Sequence, residues 1–257
     1  MTDASAFSAQ PSTSFMSVNT SVVQELEREI PKAKQSAYLE LSEEEHKAVL
    51  EKLCTVVKQP AGHLPAQEEL YLEQQLSDTF GFEISAELDG QRLNHSIGMM
   101  AALPHLKRFQ TDTLAQHDQY REAGLAVCRG AFGWFTEMGQ NTPETKQREE
   151  YYVVVQAQFV PTWSQNHAQL KEWYKFHKML VINPVEEKAV VAVVGDLGPA
   201  HWMQYQFGGS PEVIREANIW SLKSRGKVLM LFVNDPGNKI PLGPISLKYG
   251  DLLKRFQ

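Results

Sequence analysis

Cysteine is almost missing from this chain: among 257 residues only Cys54 and Cys128 carry thiols. They stand in neither a CxxC nor a zinc-finger spacing, which removes disulfide scaffolds and cysteine-ligated metals and leaves two buried thiols as the expectation. An excess of positive charge is missing too. Lysine and arginine number 25 against 31 aspartates and glutamates, giving a net charge of -6 and a pI near 5.8, so no broad basic field exists for nucleic acid or an anionic membrane surface. No apolar run reaches the roughly 18 residues of a membrane span. The start, MTDASAFSAQPSTSF, has neither the basic residues nor the apolar core of a secretory signal. No cofactor is expected, and no internal repeat is visible. These absences describe a soluble chain whose partner is a neutral polymer or a small molecule.

What is present divides the chain. Residues 1–20 are rich in Ser, Thr and Ala and read as a disordered leader. Residues 21–81 read as a helical region. VVQELEREI is a short helix candidate. Ser42 and Glu45 form a capping box ahead of Val49, Leu50, Leu53, Val56 and Val57 at helical spacing, and a further helix runs from Pro65 to a stop at Gly81. Residues 82–257 change to short strands and turns. FEISAELDGQRLNHS alternates on either side of Asp89-Gly90, a hairpin signal. LAVCRGAFGWF, EYYVVVQAQFV, WYKFHKMLVIN, KAVVAVVGD and KVLMLFVND supply β-branched and aromatic strand candidates. A helix opens at Ser210-Pro211, and DPGNKIPLGP is a turn-rich segment expected to close a barrel. The fold class is therefore α+β: N-terminal helices, then a mainly β domain closed as a barrel of about six strands over residues 120–250.

Asp196 draws attention because it ends an apolar strand and is followed by Leu197, Gly198 and Pro199. A carboxylate at such a corner is held on a rigid support with its oxygens facing outward; the alternative is a turn whose carboxylate caps backbone N–H groups. A strand ending in Asn183-Pro184, then KAVVAVVGDLGP, then FGGSPEVI opening a helix, then Gly226 and KVLMLFV together resemble the second half of the double-psi β-barrel domain of rare lipoprotein A. Expansins and membrane-bound lytic transglycosylase A share that order of elements. The resemblance spans about residues 173–234. It implies a six-stranded double-psi barrel, a polysaccharide partner such as peptidoglycan, a place outside the cell or in its envelope, and Asp196 as the residue that acts on glycan.

A second constellation, NHSIGMMAALPHLKRFQTDTLAQHD, gathers His95, His105, Arg108, Asp112, His117 and Asp118. His105, Asp112 and His117 are candidates for a polar wall that completes the catalytic cleft with Asp196. A solvated connection between helices is the alternative. Their spacing matches no metal motif, HExxH included, so no metal is expected. Trp202, Trp134 and His201 are the candidates for binding sugar, because apolar sugar faces stack on aromatic rings. Three functions stay open: a lytic transglycosylase or glycan hydrolase, a non-catalytic expansin-like glycan-binding barrel, and a structural barrel without activity.

Overall fold

A computed structural model describes residues 42–117, 123–136, 140–219 and 225–255. The expected leader, the helix candidate VVQELEREI and Asp118 lie outside the described residues.

Two helices precede the sheet. α1 (Glu43–Val56) starts at Ser42, whose hydroxyl accepts from Glu45 N–H while Glu45 reaches back to Ser42 N–H, the expected capping box. α2 (Ala66–Phe80) ends at Gly81, which takes the left-handed conformation at φ 73°. The strands are β1 (Ile84–Ser85), β2 (Glu87–Leu88), β3 (Gln91–Arg92), β4 (Ile97–Ala102), β5 (Tyr152–Val155), β6 (Lys178–Asn183), β7 (Lys188–Leu197), β8 (Phe207–Gly209), β9 (Arg225–Val233) and β10 (Gly243–Ser246). Four more helices are α3 (Pro143–Glu150), α4 (Trp163–Tyr174), α5 (Pro211–Glu216) and α6 (Tyr249–Arg255).

Six strands close into a mixed barrel in the order β9, β4, β8, β5, β7, β6 and back to β9. The β4·β8 and β5·β7 pairs are parallel and the other four antiparallel. This closed ring is compatible with a double-psi barrel. β7 and β9 carry a third neighbour each, β10 and β1.

Alternation along the strands sorts the core. Met179, Val181, Val190, Ala192, Val194, Val228, Met230 and Phe232 pack with Met100, Val153, Val155 and Phe207, one set from each of the six strands, and fill the ring. Leu180, Ile182, Ala189, Val191, Leu229, Leu231 and Val233 have the opposite parity and meet Val49, Leu53, Leu72, Leu76 and Phe80 of α1 and α2 on the outside.

Several expectations need correcting. LAVCRGAFGWF is a loop, with only isolated bridges at Leu125, Gly130 and Gly133, because its glycines interrupt any ladder. The ring instead takes β4, upstream of residue 120, from a segment not counted among the strand candidates. The first residues of WYKFHKMLVIN end α4 rather than begin a strand. β10 does not close the barrel but lies beside β7 outside the ring. Cys54 is half-buried and Cys128 exposed, so the two thiols are not both core residues.

Candidate functional site

Asp196 sits at the end of β7, opposite Val154 of β5. Its Oδ1 accepts from Ala131 N–H at 2.5 Å and Leu197 N–H at 2.8 Å. The first bond brings the 123–136 loop onto the carboxylate, and Gly130 permits the approach: a Cβ there would stand 3.2 Å from Asp196 Cγ. Burial pushes the carboxyl above its ordinary value, while the two backbone donors and the Lys171 charge pull the other way and do not prevail. The carboxylate thus caps two backbone N–H groups and is half-buried, with its pKa raised.

A larger polar cluster forms where the loop after β4 meets α3 and the start of α5. His105 Nδ1 lies 3.2 Å from Glu149 Oε1, and His117 Nδ1 lies 3.0 Å from Glu149 Oε2. His117 Nε2 is 2.9 Å from Asp112 Oδ2. The two imidazole rings stand 4.5 Å apart between centroids. Arg108 closes the far side, its Nε 3.3 Å from Asp112 Oδ2 and its Nη2 donating to Gln116 O. Glu212, from α5, brings Oε2 to 4.0 Å from His105 Nδ1. His105, Arg108, Asp112, His117 and Glu149 are all buried. Yet Asp112 Oδ1 and Glu212 Oε2 are buried oxygens without a hydrogen-bond partner.

The carboxyls of this cluster are driven apart. Burial raises Asp112, but the Arg108 backbone N–H and guanidinium and the His117 ring outweigh it, leaving the group below the usual range. Burial likewise opposes ionisation of Glu149, and His105 and His117 more than offset it. Glu212 is pushed up to about 7, chiefly by burial, with His105 acting against the shift and Glu149 and Glu150 adding to it. A cavity of about 320 Å³ opens beside the cluster, lined by His105, His117, Glu149 and Glu212 among others; Asp196 does not line it.

His105, Asp112 and His117 are therefore brought into one contact network through Glu149. Asp196 is held at its own corner. Tyr152 relates the two: its hydroxyl donates to Pro104 O, and burial followed by the charges of Glu149, Asp196 and Glu212 holds its pKa well above normal. Glu149 and Glu212 escaped the sequence reading because they come from α3 and α5, far from the histidines in the chain. The signal available for Glu149 was Thr142-Pro143, the start of a capped helix.

Among the aromatic candidates, Trp202 is 80% exposed. His201 is exposed beside it, its ring 5.4 Å from that of Phe159, which is itself 42% exposed. Trp134 is half-buried in the 123–136 loop.

No family model, no curated protein and no solved structure matches the chain. Among the described residues, no helix is long and apolar enough to cross a membrane.

Proposed function

We propose that this chain is a double-psi barrel of the rare lipoprotein A and expansin kind that acts on a cell-wall glycan, with Asp196 as the acid that cleaves the glycosidic bond of peptidoglycan. The observation that carries this reading is the state of the Asp196 carboxyl. Burial favours its protonated form, and two backbone donors already occupy Oδ1, so the transferable proton belongs on Oδ2.

The Asp196 carboxyl feels the charge of Lys171, and the chemistry proposed for it needs no second carboxylate. That fits a lytic transglycosylase. There one carboxyl protonates the leaving glycosidic oxygen, a hydroxyl of the same substrate attacks the anomeric carbon, and the carboxylate takes up that hydroxyl's proton. Paired-carboxyl hydrolysis needs a partner within about 5–10 Å.

The test is digestion of purified peptidoglycan by wild type and Asp196→Asn, with soluble products resolved by mass spectrometry. Wild type releases anhydro-sugar fragments, and the Asn variant, which keeps size but has no proton to give, falls at least about 100-fold. Equal release by the two proteins defeats the assignment. Exposed Trp202, with Phe159 and His201 close by, favours one second reading: a barrel that grips glycan without cutting it. Pull-down on insoluble peptidoglycan without release of fragments selects that reading.

A further inference from the structure

The buried His105, His117 and Glu149 cluster has no part in the chemistry assigned to Asp196, and its geometry is unusual for a structural network. Both ring nitrogens of His117 face carboxylate oxygens: Nε2 meets Asp112 at 2.9 Å and Nδ1 meets Glu149 at 3.0 Å. A neutral imidazole carries one N–H and so donates to one of these oxygens only, which leaves the lone pair of the other nitrogen beside a carboxylate, the arrangement a bound metal ion would hold together. The charge balance favours a cation. Arg108 pairs with Asp112 and Lys146 with Glu150, which leaves Glu149 and Glu212 facing the two histidines.

One donor atom from each of His105, His117 and Glu149 lies within 4.8 Å of the others, and all three residues are buried. Tetrahedral coordination at metal–ligand distances near 2.0–2.1 Å places ligand atoms about 3.3 Å apart; here each Glu149 oxygen has one histidine nitrogen at a comparable distance, Oε1 with His105 Nδ1 at 3.2 Å and Oε2 with His117 Nδ1 at 3.0 Å. Glu149 Oε2, a buried oxygen 3.0 Å from His117 Nδ1, is aimed at this point. Asp112 on the far nitrogen of His117 is what a metal-bound histidine requires, because it fixes the ring and leaves the other nitrogen for the ion.

We propose that His105, His117 and Glu149 form a binding site for a divalent zinc-class ion, with Asp112 orienting His117 and the fourth position facing the cavity. Glu212 Oε2, 4.0 Å from His105 Nδ1, is the protein group within reach of that position, as fourth ligand or as partner of a bound water. The donor set of two imidazoles and one carboxylate suits zinc better than magnesium or calcium, which prefer oxygen alone.

The site is tested by metal titration, with no reference to glycan, so it stands or falls apart from the Asp196 reading. Full-length protein is stripped with chelator and titrated with Zn²⁺ by calorimetry, and with Co²⁺ by visible absorption. The expected result is one ion per chain, d–d bands of a low-symmetry N/O site with Co²⁺, and a Tm rise of roughly 5–10 °C at a hundredfold excess over Kd. Glu149→Gln, which preserves shape and an oxygen for the Leu106 N–H, loses stoichiometric binding. Asp112→Asn weakens binding by roughly 10–100-fold, and Asp196→Asn binds as wild type. Circular dichroism of Glu149→Gln establishes that a loss is not unfolding; should that variant not fold, the wild-type Co²⁺ spectrum decides. Absence of stoichiometric Zn²⁺ binding by wild type, or wild-type affinity in Glu149→Gln, overturns the proposal and leaves a structural network of polar side chains.

Discussion

Two buried charge clusters in this protein are built on opposite plans. At Lys178, the first residue of β6, the ammonium lies 2.6 Å from Asp235 Oδ2 and 2.5 Å from Ile240 O, and Asp235 accepts from the N–H groups of Lys239 and Ile240. One cation meets one carboxylate, and the loop after β9 is tied to the barrel. The cluster around His117 gathers Asp112, Glu149 and Glu212 and leaves Asp112 Oδ1 and Glu212 Oε2 without a hydrogen-bond partner. Balance is what a tether needs. An excess of unsatisfied acceptors costs folding energy, and such a cost persists where the groups have something else to bind.

The contrast breaks most visibly at the tether. Lys178→Met strands a buried carboxylate and is expected to cost about 3–5 kcal/mol in urea unfolding. Lys178→Met with Asp235→Asn should recover part of that loss, since the charge is gone but the single amide oxygen can accept from only one of Lys239 and Ile240, which donate to Oδ1 and Oδ2 respectively.

A smaller effect is expected at the Asp196 corner's packing. A Cβ on Gly195 would stand 2.6 Å from Tyr152 Cβ and 2.9 Å from Phe135 Cζ. Gly195→Ala should therefore cost about 1–3 kcal/mol by overpacking, read as a lowered denaturation midpoint.

The sign reverses at Asp196 itself. Its folded carboxyl is raised, so the native state holds the proton more tightly than the unfolded chain. The stabilising contribution is complete below the ordinary carboxyl pKa and is lost as pH rises through the raised value. Asp196→Asn should thus be at least as stable as wild type above that pH, with a flatter pH profile. A variant less stable than wild type at pH 8 would make the corner a tether like Lys178. Catalysis by a protonated Asp196 should fade over the same rise in pH.

The smallest change in stability, within about 0.5 kcal/mol, belongs to Trp202→Ala, because the ring is 80% exposed. Its effect should appear instead as roughly 3–10-fold weaker retention on peptidoglycan, the range of one lost stacking contact.

The legible parts of the sequence were those whose local chemistry agreed with their place in the fold. β6, β7 and β9 are consecutive members of the closed ring and read as long apolar runs. Asp89-Gly90 gave the hairpin its turn, both residues having positive φ at 51° and 72°. Ser42 and Gly81 bounded their helices. β4 was missed because Ile-Gly-Met-Met-Ala-Ala has little intrinsic strand preference. It is a strand through its neighbours: Gly98 allows Phe207 and Gln206 to pack where a Cβ would come within 2.8 Å. β8, only Phe207–Gly209, is too short to show a period. α3 was passed over because its polar face carries no apolar stripe; its buried residues are Thr145 and Glu149. For that reason the histidine-rich stretch was recognisable while the carboxylates that complete its surroundings were not.

The parallel pairing of β4 with β8 has a consequence during synthesis. Met100 finds its partner only at Phe207, and the ring closes only when β9 is available to bridge β4 and β6. A ribosome adding about 5–20 residues per second needs several seconds to pass from β4 to β9. Throughout that interval the valine-rich faces of β5, β6 and β7 have no closed barrel to enter. Loop closure over such distances is slow, so the chain's exposure to chaperones and to aggregation is greatest before β9 emerges.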